Sequence, residues 1–141
     1  MSNYFKFDYD DQIHIISVTL KSGVSPSDLK EFVSKSRQII SQLVMQGIRA
    51  SVIVDMSVWT PNPDKKKSEE NIEIAKVVCD NLMNTSKVVE YVAYIIKDVT
   101  HLEVINECHI RSRTCDRILY FSKLENAHAW IQRRRDKEKE N

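Results

Sequence analysis

Residues 50–56 run Ala-Ser-Val-Ile-Val-Asp-Met, and this segment says most about the architecture of the chain. It is short, nearly all apolar and rich in β-branched residues, which is typical of a strand buried inside a parallel sheet. A helix is predicted at 25–47, because apolar residues recur there at helical spacing until Gly47 supplies a left-handed cap. Another helix is predicted within 64–84. A buried strand between two helices indicates an α/β fold.

The alternation of strands and helices continues along the chain. Strands are predicted at 88–96 and at 117–121, and a helix follows each of them. Both helices begin with a capping box, Thr-His-Leu-Glu at 100–103 and Ser-Lys-Leu-Glu at 122–125. Trp130 lies on the apolar stripe of the last helix, so we predict that it is buried.

Two further strands precede the first helix, at 4–9 and 13–20, and the short connection between them predicts an antiparallel hairpin. His14 falls within the second of these strands. The predicted fold is α/β with the element order ββαβαβαβα, a five-stranded mixed sheet with four helices. We expect one domain over 1–132 and a charged tail over 133–141 that frays into solvent.

The composition narrows the class of protein. With 21 basic and 20 acidic residues the formal net charge is +1, so no overall field draws the chain to nucleic acid. No stretch reaches the roughly 18 apolar residues of a membrane span. The first residues lack the pattern of a secretory signal, and the three cysteines are widely spaced. These features predict a cytoplasmic protein with free thiols.

The sequence offers no cluster that indicates catalysis. Its four histidines fall in different predicted elements, and two glycines cannot build a glycine-rich phosphate loop. The cysteines lack the paired spacing of a zinc site. We therefore predict a protein that is not an enzyme and that has no catalytic residues, no metal and no cofactor.

Two stretches carry a resemblance to a known family. Residues 51–57, Ser-Val-Ile-Val-Asp-Met-Ser, look like a central strand that ends in Asp before a loop. The closing strand and helix, Ile-Leu-Tyr-Phe-Ser at 118–122 and Ala-His-Ala-Trp-Ile at 127–131, look like the end of bacterial STAS-like proteins. Together with the element order, they make the chain resemble the STAS domain, the fold of anti-sigma-factor antagonists. The resemblance implies a regulatory module that binds a protein partner.

Anti-sigma-factor antagonists carry an Asp-Ser-Ser-Gly motif after the central strand, and phosphorylation of a serine in it switches partner binding. The corresponding residues 57–68 lack this motif. They do hold a tryptophan near three consecutive lysines, and two prolines that stiffen the segment. We predict that a protein partner, or a second copy of the chain, binds here. The candidate residues are Ser57, Trp59, Thr60, Lys65, Lys66, Lys67 and Ser68.

A plainer interpretation of this segment is a solvated lysine run beside a tryptophan that caps the core. A second functional hypothesis is a carrier or sensor of a small ligand, such as a lipid or a nucleotide. Open α/β sheets bind ligands at the carboxyl ends of their strands, where Asp55, Asp98, Thr100 and His101 are predicted. Each Asp could instead accept hydrogen bonds from the turn that follows it. A large apolar cavity would favour the ligand, and a flat apolar patch around Trp59 the partner.

Overall fold

The computed structural model describes residues 5–20, 26–57, 89–96, 106, 110 and 117–139. Five strands form one sheet in the order β1-β2-β3-β4-β5. The first pair is antiparallel and the other three are parallel. The strands and helices are β1 (Phe5–Asp10), β2 (Ile15–Leu20), α1 (Pro26–Gln46), β3 (Ala50–Asp55), β4 (Val89–Ile95), β5 (Ile118–Phe121) and α2 (Leu124–Lys139). The prediction of a five-stranded mixed sheet is confirmed.

Two helices lie within the described residues, α1 and α2, where the sequence predicts four. The helix predicted within 64–84 lies outside the described residues. Of the helix predicted to begin at Thr100, Asn106 and Ile110 are described, and both are helical.

The two faces of the sheet carry separate apolar cores because side chains alternate along each strand. On β3, Val52 and Val54 point to one face and Ile53 to the other, and all three are buried. The α1-side core consists of Ile16, Val18, Phe32, Leu43, Ala50, Val52, Val54, Met56, Val89, Val92 and Tyr94. The α2-side core consists of Ile15, Ile53, Ala93, Ile95, Ala127 and Ile131. Burial on both faces explains why β3 is nearly all apolar.

Trp130 was predicted to be buried, but the structure shows that it is only half-buried. The buried residues of α2 are Ala127 and Ile131, one turn apart on the face toward the sheet. Trp130 lies beside that row, and it packs against the margin of the α2-side core with Phe121.

The end of α1 follows the prediction from Gly47. The glycine has φ 66°, its amide donates to the carbonyl of Val44 at 3.2 Å, and the amide of Ile48 donates to that of Leu43 at 3.0 Å. This pair of bonds is the Schellman motif, which satisfies carbonyls at the end of a helix.

We expect Gly47→Ala to lower the free energy of unfolding by about 1 kcal/mol, because an L-residue is strained at positive φ. Among the described residues, no atom beyond Gly47 and its chain neighbours lies within 4 Å of the position that a Cβ would take, so we attribute the loss to conformation and not to a clash. Urea unfolding of the variant measures it, with the exposed neighbouring position as control in Gln46→Ala. Equal midpoints for both variants would show that the cap contributes nothing.

Candidate functional site

The predicted binding segment begins at the carboxyl end of β3. Asp55 ends the strand, and its Oδ1 accepts a hydrogen bond from the amide of Ser57 at 2.9 Å. The amide of Met56 donates to the carbonyl of Ile95 at 2.9 Å, and Met56 is buried. The chain therefore leaves the middle of the sheet through a fixed turn that is also bonded to β4.

These contacts give one candidate residue a structural partner. Asp55 accepts a hydrogen bond from the turn that follows it, as the plainer interpretation predicts. Of the predicted partner-binding residues, Ser57 is described and is half-buried. The other candidates lie outside the described residues: Trp59, Thr60, Lys65, Lys66, Lys67, Ser68, Asp98, Thr100 and His101. Their grouping into a loop site or a crevice stays a prediction.

The strand order bears on the ligand hypothesis. Ligand crevices in open α/β sheets form where the strand order reverses, because the connections on the two sides of that point leave to opposite faces. Here the order β1-β2-β3-β4-β5 follows the chain from one edge to the other without a reversal. The described strands therefore lack the topology that opens a crevice at the carboxyl edge.

His14 lies in the turn between β1 and β2, and its prediction as a strand residue is wrong. Since Asp10 pairs with Ile15, four residues are left for the turn, and His14 takes φ 52° to bring the chain back. Histidine is among the residues that tolerate this region. Its Nδ1 is 2.9 Å from the Tyr9 hydroxyl, and the two rings stack.

The same hairpin forms one wall of an open concavity of about 630 Å³. The residues around it are Asp8, Tyr9, Asp10, Asp11, Gln12, Ile13, Ile15, Ser17 and His128. Burial and the carboxylates of Asp11 and Asp10 raise the pKa of Tyr9 above its ordinary value. Within the described residues, no three His, Cys, Asp or Glu side chains are grouped so that they could hold a metal ion.

Two of the carboxylates in this concavity have partners in the hairpin itself. Asp10 Oδ1 accepts from the amides of Gln12 and Ile13, at 3.0 and 3.4 Å. Asp8 Oδ2 lies 3.5 Å from Lys6 Nζ. These contacts shape the turn and the exposed face of β1, and they give a structural reason for the acidic residues here.

Within the part of the chain that the structure describes, the most extensive polar network lies beside this turn, at the amino-terminal ends of β3 and β4, around Arg135 of α2. Its Nε is 2.5 Å from Glu90 Oε1 of β4, and its Nη2 is 3.3 Å from Ser51 Oγ of β3. The Ser51 hydroxyl donates to Glu90 Oε1 at 2.9 Å. The Arg135 and Glu90 side chains are only 18% and 12% exposed.

The same guanidinium reaches the β1–β2 turn. Arg135 Nη1 donates to the carbonyl of Ile13 at 2.5 Å, and Nη2 donates to that of His14 at 2.9 Å. The amide of Ser51 also donates to the carbonyl of His14, at 3.0 Å. One side chain therefore joins the hairpin turn, β3, β4 and α2. Residues 133–139, which the sequence assigns to a fraying tail, belong to α2.

A second row of α2 side chains surrounds Tyr91. The Tyr91 hydroxyl donates to Glu138, the Arg134 guanidinium lies 5.1 Å from the centre of the ring, and Trp130 meets the ring edge-to-face at 5.7 Å. Burial, followed by the hydrogen bond to Glu138, raises the pKa of Tyr91. These contacts hold α2 against the sheet, and none of them groups a nucleophile with a base.

No protein-family model, no curated protein and no solved structure matches this chain. Neither described helix combines the length and the apolar character that crossing a membrane requires.

Proposed function

We propose that this chain is a non-enzymatic, STAS-like regulatory module that binds a protein partner through residues 57–68. The observation that carries the proposal is the position of β3, which lies third of five strands. The turn after Asp55 is fixed by the hydrogen bond from Ser57. Because this turn already holds Ser57, the start of the segment loses little freedom when it binds.

The residue types of the segment support a protein as the ligand. Tryptophan is enriched among residues that contribute most to protein interfaces, and positive charge increases the rate of encounter with an acidic partner. Trp59 and the lysines at 65–67 supply both features within a few residues. Two prolines in the same segment reduce the entropy that is lost on binding.

Three finer statements belong to this proposal. The sheet carries four helices in the order ββαβαβαβα, as in the STAS fold. The protein acts in the cytoplasm, which suits three widely spaced cysteines. Its partner is not a nucleic acid, because the chain has a formal net charge of only +1. A small-ligand carrier is less well supported, since the strand order has no reversal.

We expect the variant Trp59→Ala, Lys65→Glu, Lys66→Glu, Lys67→Glu to lose partner binding and to keep its fold. The anchor is removed and the charge of the segment is inverted, which disfavours an acidic partner. The measurement is a quantitative pull-down from the native cytoplasm, with circular dichroism to check the fold.

The matched control makes the same change of charge elsewhere. Three exposed lysines suit this control: Lys123 just before α2, and Lys137 and Lys139 in its last turn. The variant Lys123→Glu, Lys137→Glu, Lys139→Glu should retain the captured partner. If both variants retain it equally, residues 57–68 are not the binding site. If both lose it equally, only the net charge of the protein matters.

A further inference from the structure

The edge of the sheet formed by β1 has properties that suit pairing with another strand. Among the described strands, β1 pairs only with β2, so no described strand pairs with the backbone donors and acceptors on its other side. All six residues of β1 are in register with β2, from Phe5 opposite Leu20 to Asp10 opposite Ile15. The strand has no bulge and no proline, which are common devices that keep edges from pairing.

The exposed side chains of β1 alternate in charge. Lys6 and Asp8 lie on the face away from α1, and their side chains are 75% and 61% exposed. Phe7 lies between them on the other face, where it contacts the α1-side core and meets Phe32 edge-to-face at 6.0 Å. The outer face of β1 therefore presents a cation and an anion two positions apart.

We propose that two copies of this chain pair antiparallel through β1, with a two-fold axis through Phe7. Directly opposite residues in an antiparallel pair point to the same face of the sheet. The two-fold axis must therefore pass midway between the two copies of one residue, so that this residue lies opposite its own copy. With the axis at Phe7, Lys6 of each copy lies opposite Asp8 of the other. The pairing joins two five-stranded sheets into one continuous sheet.

The charges select this register over its neighbours. An axis through Lys6 places two lysines opposite each other. An axis through Asp8 places Lys6 of each copy opposite Asp10 of the other, but it also places two aspartates opposite each other. An axis through Tyr9 places Asp8 opposite Asp10. Like charges directly opposite are destabilising, whereas opposite charges stabilise a pair. Of the registers centred on residues 6 to 9, only the one centred on Phe7 opposes no like charges.

The charges on β1 could instead be a guard against edge pairing, as charged residues are on many edge strands. A guard works best when one sign of charge is repeated, because every register of a second copy then meets repulsion. The sequence of β1 places Lys6 and Asp8 at symmetric positions about Phe7. In a second copy this arrangement pairs opposite charges without opposing like charges in the register centred on Phe7, which a guard of one repeated sign would not allow.

Charge reversal tests the pairing on exposed side chains that the fold does not need. Lys6→Asp and Asp8→Lys should each weaken dimerisation about tenfold, because each replaces two attractive cross-strand pairs by two repulsive ones. The double variant Lys6→Asp, Asp8→Lys restores two attractive pairs and should dimerise like the parent. Sedimentation velocity over a wide dilution series measures the dimer, and circular dichroism checks the fold of each variant.

Cysteine crosslinking tests the register independently. Opposite Cα atoms are about 4.5–5.5 Å apart in such a pair, a distance that a disulfide spans. A mixture of Lys6→Cys with Asp8→Cys should form a disulfide-linked dimer, and each variant alone should behave like the parent under the same oxidant. This inference does not rest on the proposed function, so the variant changed at Trp59 and Lys65–Lys67 should dimerise normally.

A parent protein that stays monomeric throughout the dilution series overturns the proposal. So does a dimer that neither single reversal weakens, because its interface then lies elsewhere. A dimer that both single reversals weaken and that the double variant fails to restore overturns the register centred on Phe7.

Discussion

Arg135→Ala is expected to lower the free energy of unfolding by about 3 kcal/mol, because removing one partner of a largely buried ion pair leaves the other charge uncompensated. The substitution leaves the Glu90 carboxylate, 12% exposed, without its cation. It also removes the donors that reach the carbonyls of Ile13 and His14. The hairpin turn and α2 therefore lose their shared attachment to the sheet.

Urea unfolding measures this loss, with Arg133→Ala as the matched control. Arg133 belongs to the same helix and is exposed, so its removal should change the free energy of unfolding by less than about 0.5 kcal/mol. A double-mutant cycle with Glu90→Gln isolates the pair, because residues that share a network are not additive. Equal losses for the two arginine variants would place the Arg135 side chain in solvent.

Trp130→Ala should also cost about 3 kcal/mol, at the lower end of the range for removing a large aromatic side chain, because the residue is half-buried. Trp130 meets Tyr91 edge-to-face at 5.7 Å and lies at the same distance from Phe121. Aromatic pairs of this kind contribute beyond the area that they bury. The change opens a gap between α2 and the strands β4 and β5.

Thermal unfolding followed by circular dichroism gives the effect, and Asn126→Ala, an exposed position of the same helix, serves as the control. The Trp130 variant should melt well below both the parent and the control. A melting temperature equal to that of the control would mean that the indole does not support the packing of α2 on the sheet.

The strands of the sheet could be predicted from the sequence because the burial of each strand sets its pattern of apolar residues. β3 is buried on both faces and is therefore an unbroken apolar run, whereas β1 has one exposed face and alternates Lys6 and Asp8 with Phe7. The parallel direction of the strands after the hairpin followed from the alternation of strands and helices, since parallel strands need a crossover between them. The cap at Gly47 followed from residue type alone.

The Arg135 network was missed although the sequence holds a signal for it. Ala127, Ile131 and Arg135 are spaced four residues apart, so they lie on one face of a helix. The apolar stripe ends at Ile131, and the run of three arginines after it suggested solvent. The sequence does not show which groups accept hydrogen bonds from Arg135, because Glu90 and the carbonyls of the hairpin turn come from distant parts of the chain.

The position of His14 could not be predicted for a different reason. Its β-branched neighbours extend the strand pattern back to residue 13, and only the pairing of Asp10 with Ile15 shows where the turn ends. The concavity beside it likewise depends on how α2 brings His128 near the hairpin. Contacts between elements that are far apart in sequence set both features, and periodicity carries no information on them.

The most direct test of the proposed function is photo-crosslinking from position 59 in an extract of the native cell. A photoreactive phenylalanine analogue replaces Trp59, and the same analogue at Met45, which is 87% exposed on α1, serves as the control. We expect a discrete protein adduct from position 59 that is absent from position 45 and is lost when Lys65, Lys66 and Lys67 are changed to Glu. No adduct from position 59, or the same adduct from both positions, would contradict it.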